Sequence, residues 1–82
     1  MLAQEALQQA LLKQFNELKQ KNRGFSLRAY ARRLGLSSGA LSGVLSGKRR
    51  ISEKASEKLI NKMALDPKQS THIRSLYRGQ RE

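Results

Sequence analysis

The sequence has no cysteine and a single histidine, His72, among its 82 residues. Without cysteine the chain can form neither disulfides nor thiolate metal sites, and one histidine alone does not make a metal site. No apolar run approaches the roughly 18 residues that span a bilayer. The opening segment MLAQEALQQALLKQF carries scattered glutamine and glutamate, which is not typical of a secretory signal. We therefore expect a soluble, cytoplasmic protein with no membrane contact and no cofactor.

The sequence also offers no catalytic constellation. A chain of 82 residues forms one domain, residues 1–82, and its small core leaves little room for a deep catalytic cleft. The serines have no histidine or aspartate partners that would create a nucleophile. Glu53 and Glu57 lie one turn apart near a helix start, where their charge suits the helix dipole rather than acid–base chemistry. We expect a protein that is not an enzyme.

Acidic residues are scarce, and the positive charge is concentrated in the middle of the chain. Lys and Arg number 17 and Asp and Glu number 6, which gives a net charge of +11. Residues 19–62 alone hold 12 basic and 2 acidic residues. Such a block indicates a polyanionic partner, most commonly nucleic acid. RNA is the less favoured form, because two phenylalanines and two tyrosines offer little for stacking on unpaired bases.

Hydrophobic periodicity predicts an all-α chain. The expected helices cover about residues 3–21, 27–34, 38–46, 53–64 and 67–77. The four later helices follow typical N-cap residues: Ser26, Ser37, Ser52 and Asp66. The first helix is long for so small a domain, so we expect its first two turns either to project beyond the core or to pair with another chain.

Residues 26–50 are the most informative stretch. Two short helices are joined there by a turn that opens with Gly35, with Ala31 on one side and Leu41 on the other. When two helices cross at a steep angle, a small residue lets their backbones approach closely. A glycine allows the sharp turn between them, and an apolar residue packs the second helix against the first. A unit of this kind can offer its second helix to the major groove of DNA.

This stretch resembles the helix-turn-helix of phage-repressor-like transcription factors of the Cro and lambda repressor type. Ala31, Gly35, Leu41, Val44 and the Gly47-Lys48-Arg49 segment carry the resemblance. The pattern from Lys19 through Leu76, including FSLRAYARRLG, GKRRIS and DPKQ, is similar to the N-terminal domain of a family of bacterial transcriptional regulators. Chains of that family normally continue into a larger C-terminal domain, so we expect this sequence to be either an excised domain or a naturally short relative. The resemblance implies a compact five-helix bundle, lambda repressor-like, that binds double-stranded DNA in the bacterial nucleoid.

The same resemblance assigns roles to particular residues. The implied DNA-binding residues are Ser26, Arg28, Arg32, Ser37, Ser38, Gly39, Ser42, Gly43, Lys48, Arg49 and Arg50. Ser26 and Arg28 would meet a phosphate at a helix start, and residues 48–50 would hold the DNA backbone. Ser38, Gly39, Ser42 and Gly43 lie where side chains that contact bases usually project.

Those four residues depart from the expected pattern, because bidentate bonds to purine edges need Arg, Lys, Asn or Gln. Each glycine within a helix also costs about 1 kcal/mol relative to alanine. The glycines either allow close approach to DNA or another helix, or are simply tolerated. We expect affinity to come mainly from phosphates, with Arg49, Arg50 or the Arg23 segment as sources of base contacts outside the third helix.

Several alternatives stay open at the level of sequence. The domain could be a protein-interaction module that keeps the helix-turn-helix scaffold without specific DNA recognition. The lysine stripe of the fourth helix, Lys54, Lys58 and Lys62, could flank DNA or form an ordinary solvated face. A homodimer could form through the first or the fifth helix, or through a C-terminal domain.

Overall fold

The computed structural model describes residues 2–79, and that part of the chain is all helical with no strand. Its five helices are α1 (Ala3–Lys21), α2 (Leu27–Arg33), α3 (Ser38–Leu45), α4 (Glu53–Met63) and α5 (Pro67–Gly79). The predicted all-α class is confirmed, and the helix limits differ from the sequence prediction by two residues or fewer. No helix in residues 2–79 is both long enough and apolar enough to cross a membrane.

The four later helices all begin at a side-chain cap. The capping oxygen accepts a hydrogen bond from the backbone amide three residues on, at 3.1 Å for Ser26 and Ser37, 3.2 Å for Ser52 and 2.9 Å for Asp66. These bonds satisfy amides that the helix itself leaves without partners. The sequence prediction of these four caps is confirmed.

A glycine ends α2 and starts the turn to α3. Gly35 has φ of 76°, a left-handed conformation that glycine adopts without a steric penalty. Its amide donates to the Arg32 carbonyl at 3.1 Å, and the Leu36 amide donates to the Ala31 carbonyl at 2.8 Å. This pair of bonds is the Schellman motif. The turn therefore brings α3 back against α2, and the two helices pack together.

The first two turns of α1 lie in the core, contrary to the sequence expectation that they project or pair with another chain. Ala3, Leu7 and Leu11 have no exposed surface, and Ala6 is 7% exposed. The helix packs on α3 and α5. The expectation was wrong because alanine at two of these positions is a weak hydrophobic signal in sequence, yet a small side chain allows close helix packing.

Tyr30 is completely buried, so the prediction that it belongs to the core is confirmed. Its ring lies 5.6 Å from the Phe15 ring and 6.0 Å from the Phe25 ring, centroid to centroid. Its hydroxyl donates to Gln14 Oε1 at 2.6 Å, and Gln14 Nε2 donates to the Met63 carbonyl at 2.7 Å. One glutamine of α1 therefore links α2 to the end of α4.

We expect Gln14→Ala to lower the free energy of unfolding by about 1–3 kcal/mol, because it leaves the buried Tyr30 hydroxyl without an acceptor. Gln9→Ala is the matched control, since Gln9 is exposed on the same helix and should change stability by no more than about 0.5 kcal/mol. Urea unfolding followed by circular dichroism measures both. Equal effects of the two variants would contradict the assigned role of Gln14.

Stability should also fall at high pH through Tyr30. Burial raises the pKa of Tyr30 from 10.0 to about 12, and the positive charge of Arg33 opposes part of that rise. Because the folded state favours the neutral phenol, the contribution of Tyr30 to the free energy of unfolding is complete below pH 10. This contribution is lost as the pH rises to about 12. The difference in unfolding free energy between the wild type and Tyr30→Phe should shift over that range in favour of the variant. A constant difference between pH 9 and pH 12, roughly, would contradict the assignment.

Candidate functional site

The outer face of α3 is lined with small residues. Leu41 and Val44 point into the core, with 0% and 1% of their surface exposed. On the opposite side Gly39 and Ser42 are exposed, and Gly43 is half-buried. The helix therefore has a buried apolar side that fixes it to the protein and an outer side with almost no side-chain bulk.

The two glycines of this face have different surroundings. A Cβ atom built on Gly39 would have no heavy atom within 4 Å. A Cβ atom on Gly43 would lie 3.3 Å from Arg49 Cβ, which is closer than ordinary van der Waals contact. The protein therefore uses Gly43 to make room for its own Arg49 side chain. Nothing in residues 2–79 accounts for a glycine at position 39.

The side chain of Gln4 bonds the loop after α3 to α1. Gln4 Nε2 donates to the Arg49 carbonyl at 2.6 Å, and Gln4 Oε1 accepts from the Ile51 amide at 2.9 Å. The Arg49 amide in turn donates to the Gly43 carbonyl at 3.0 Å. The backbone at Arg49 is therefore bonded through both its amide and its carbonyl.

A second glutamine of α1 satisfies the end of α3. Gln8 Nε2 donates to the Val44 carbonyl at 2.6 Å, and the Gly47 amide donates to the same oxygen at 3.2 Å. Gly47 has φ of 81°, which directs the chain into the basic loop. Sequence reasoning missed Gln4 and Gln8, because a glutamine on a long polar helix gives no signal that it reaches a backbone far along the chain.

Positive charge is concentrated in the segment of the chain that carries this face. Residues 26–50 contain six basic residues and no acidic one. The exposed cations among the sequence-predicted site residues are Arg28, Arg32, Lys48, Arg49 and Arg50. The ion pair between Glu57 of α4 and Arg74 of α5, at 2.9 Å, lies elsewhere. The cations of residues 26–50 are thus available to a partner.

The remaining predicted site residues lie at helix starts. Ser26 and Ser37 are exposed and Ser38 is half-buried. The hydroxyl oxygens of Ser26 and Ser37 cap their own helices, but each hydroxyl also carries a proton that a phosphate oxygen could accept.

The lysine stripe of α4 is exposed throughout. Residues 2–79 contain no cluster of three or more His, Asp or Glu that could hold a metal ion.

Comparison with known proteins adds no further assignment: no family model, curated protein or solved structure matches the chain.

The two glycines of α3 should respond differently to substitution by alanine. Gly39→Ala should raise the free energy of unfolding by up to about 1 kcal/mol, because alanine favours the helix and meets open space. Gly43→Ala should gain less or lose stability, because its methyl group would push against Arg49. Thermal unfolding of the two variants measures the difference. Equal stabilisation would show that the Arg49 stem does not constrain position 43.

Proposed function

We propose that this chain is a helix-turn-helix DNA-binding domain of a bacterial transcriptional regulator. Duplex DNA would lie against the outer face of α3, with phosphates held by the cations of α2 and of the loop at residues 48–50. The observation that carries the proposal is the exposed, acid-free set of cations in residues 26–50. A solubilising surface does not need one sign of charge to be concentrated in this way.

The arrangement of α2 and α3 supports the proposal. The Schellman turn at Gly35 joins two short helices that pack together, and Leu41 anchors α3 from the inside. The small outer face of α3 would let its backbone approach the groove closely. Gly39 fits this function, since a partner's close approach gives a reason for a glycine that the fold does not require.

The proposed contacts favour phosphates over bases. Arg and Lys neutralise phosphates and release counterions, so affinity should depend strongly on salt. Ser and Gly on α3 provide little for direct recognition of base edges. The proposal places the protein in the bacterial cytoplasm, associated with the nucleoid. Activation or repression, and any effector, would depend on what accompanies this domain.

A protein-interaction module is the second candidate, and the outer face of α3 favours it. Ser42 and the two glycines suit close packing of another helix as well as a DNA groove. Such a module should bind a protein partner after nuclease treatment and at moderate salt, where a phosphate-dependent complex dissociates.

Recovery of an inverted repeat among selected duplexes would indicate that the domain binds DNA as a homodimer on half-sites about one helical turn apart.

Binding to a labelled duplex should weaken steeply with salt, with a slope of log affinity against log salt of about −4 to −6. Arg49→Glu combined with Arg50→Glu should weaken binding more than tenfold, because two cations of the loop that would face the DNA become anions. Lys68→Glu combined with Arg78→Glu is the matched control, since both residues are exposed on α5 and the net charge changes equally.

Fluorescence anisotropy at several salt concentrations measures these effects, with single-stranded RNA of the same length as competitor. Absence of duplex binding at low salt would overturn the proposal. Equal losses in the two double variants would show that only net charge matters. Equally effective competition by RNA would contradict the preference for duplex DNA.

A further inference from the structure

Among the cations of the loop at residues 48–50, Arg49 is the one whose side-chain stem lies against Gly43 of α3. Its amide donates to the Gly43 carbonyl at 3.0 Å, and its carbonyl accepts from Gln4 Nε2 at 2.6 Å. Its side-chain stem also lies against Gly43, with Cβ 3.3 Å from the position that a Cβ of residue 43 would occupy. No atom of Lys48 or Arg50, its neighbours in the loop, lies within 4 Å of that position.

The backbone bonds of Arg49 serve the fold, because the Gly43 carbonyl in the last turn of α3 needs a partner. Its guanidinium has no such role within residues 2–79. Arg74 is held because its guanidinium bonds Glu57 and Asn61, but the Arg49 guanidinium has no hydrogen bond or ion pair within residues 2–79. Ordering a long side chain costs conformational entropy. Order imposed before binding lowers the entropy lost when a partner binds. A held stem with a free guanidinium is therefore suited to contact a partner.

We infer, on the basis of the proposed function, that Arg49 supplies the base specificity that α3 lacks, by bonding the major-groove edge of a guanine. The guanidinium presents two parallel donors that match O6 and N7 of guanine. Its stem leaves the loop across Gly43, on the small face of α3 that is proposed to approach the groove. Gly43 makes room for Arg49, and Gln4 is a positioning residue that acts through it.

A contact with a phosphate would not require the Arg49 side chain to be held against Gly43. Phosphates accept bonds from charged side chains over a range of geometries and carry no sequence information, and the exposed Lys48 and Arg50 meet that need. A bidentate bond to a base edge requires the planar fork of arginine in a set orientation, so lysine is not equivalent there. The contact between the Arg49 stem and Gly43, which Lys48 and Arg50 do not make, therefore separates the two roles.

The test is selection of binding sites from random duplexes at two salt concentrations, followed by affinity measurements for wild type, Arg49→Lys and Arg50→Lys. Both substitutions keep the charge. The wild type should select a guanine at a defined position. Arg49→Lys should weaken binding to that site by about 5- to 100-fold and lose the guanine preference, with the salt slope unchanged. Arg50→Lys should weaken binding by less than about threefold and keep the preference.

Gln4→Ala provides the second measurement. It should reduce the same guanine preference, and its effect should largely disappear in the Arg49→Lys background, because it acts through Arg49. Hydrogen exchange at the Ile51 amide, an independent readout, should accelerate in Gln4→Ala without any DNA present. Urea unfolding of each variant verifies that it is folded.

The outcomes separate this inference from the proposed function. Wild type that fails to bind duplex DNA overturns both. Wild type that binds and selects guanine, together with an Arg49→Lys variant that keeps the same preference and affinity, overturns the role of Arg49 alone. A loss of the preference in Arg50→Lys instead would transfer the role to Arg50.

Discussion

The side-chain amides of α1 complete the hydrogen bonding that the short helices leave open. Each helix ends with carbonyls that have no partner within the helix, and α3 is only 8 residues long. Gln8 donates to the end of α3 and Gln14 to the end of α4, at 2.6 and 2.7 Å. Gln4 holds the loop that follows α3. The position of the basic loop relative to α3 therefore depends on α1.

This arrangement suits a small domain. A chain of this size has limited apolar surface to bury. Hydrogen bonds between side chains and backbone therefore help to fix helix and loop positions that the core alone does not fix. Ala3, Leu7 and Leu11 fix one face of α1 inside the core, while the glutamines beside them reach outward to neighbouring backbones. The same helix thus supports both the apolar core and the geometry of the cationic surface.

Local features of the structure could be predicted from the sequence. The serine and aspartate caps, and the glycines after α2 and α3, act within a few residues of their own position, so their roles are visible in short windows. The burial of Tyr30 follows from helical periodicity in the same way. The candidate site was predictable only as a set of residues: the cations and small residues of 26–50 are evident in sequence, but their relative positions are not.

Interactions between distant residues could not be predicted. The α1 turns at Ala3 and Ala6 were expected outside the core, because alanine carries a weak hydrophobic signal and nothing local shows which helix packs on it. The sequence by itself determined the helices, their ends and the concentration of positive charge, since these depend on neighbours along the chain. Only the tertiary structure decided that Gln4 bonds the Arg49 carbonyl, 45 residues away, and that Gly43 accommodates the Arg49 stem. Those contacts exist because the packing of α1 against α3 brings distant segments together, and no pattern within either segment specifies the other.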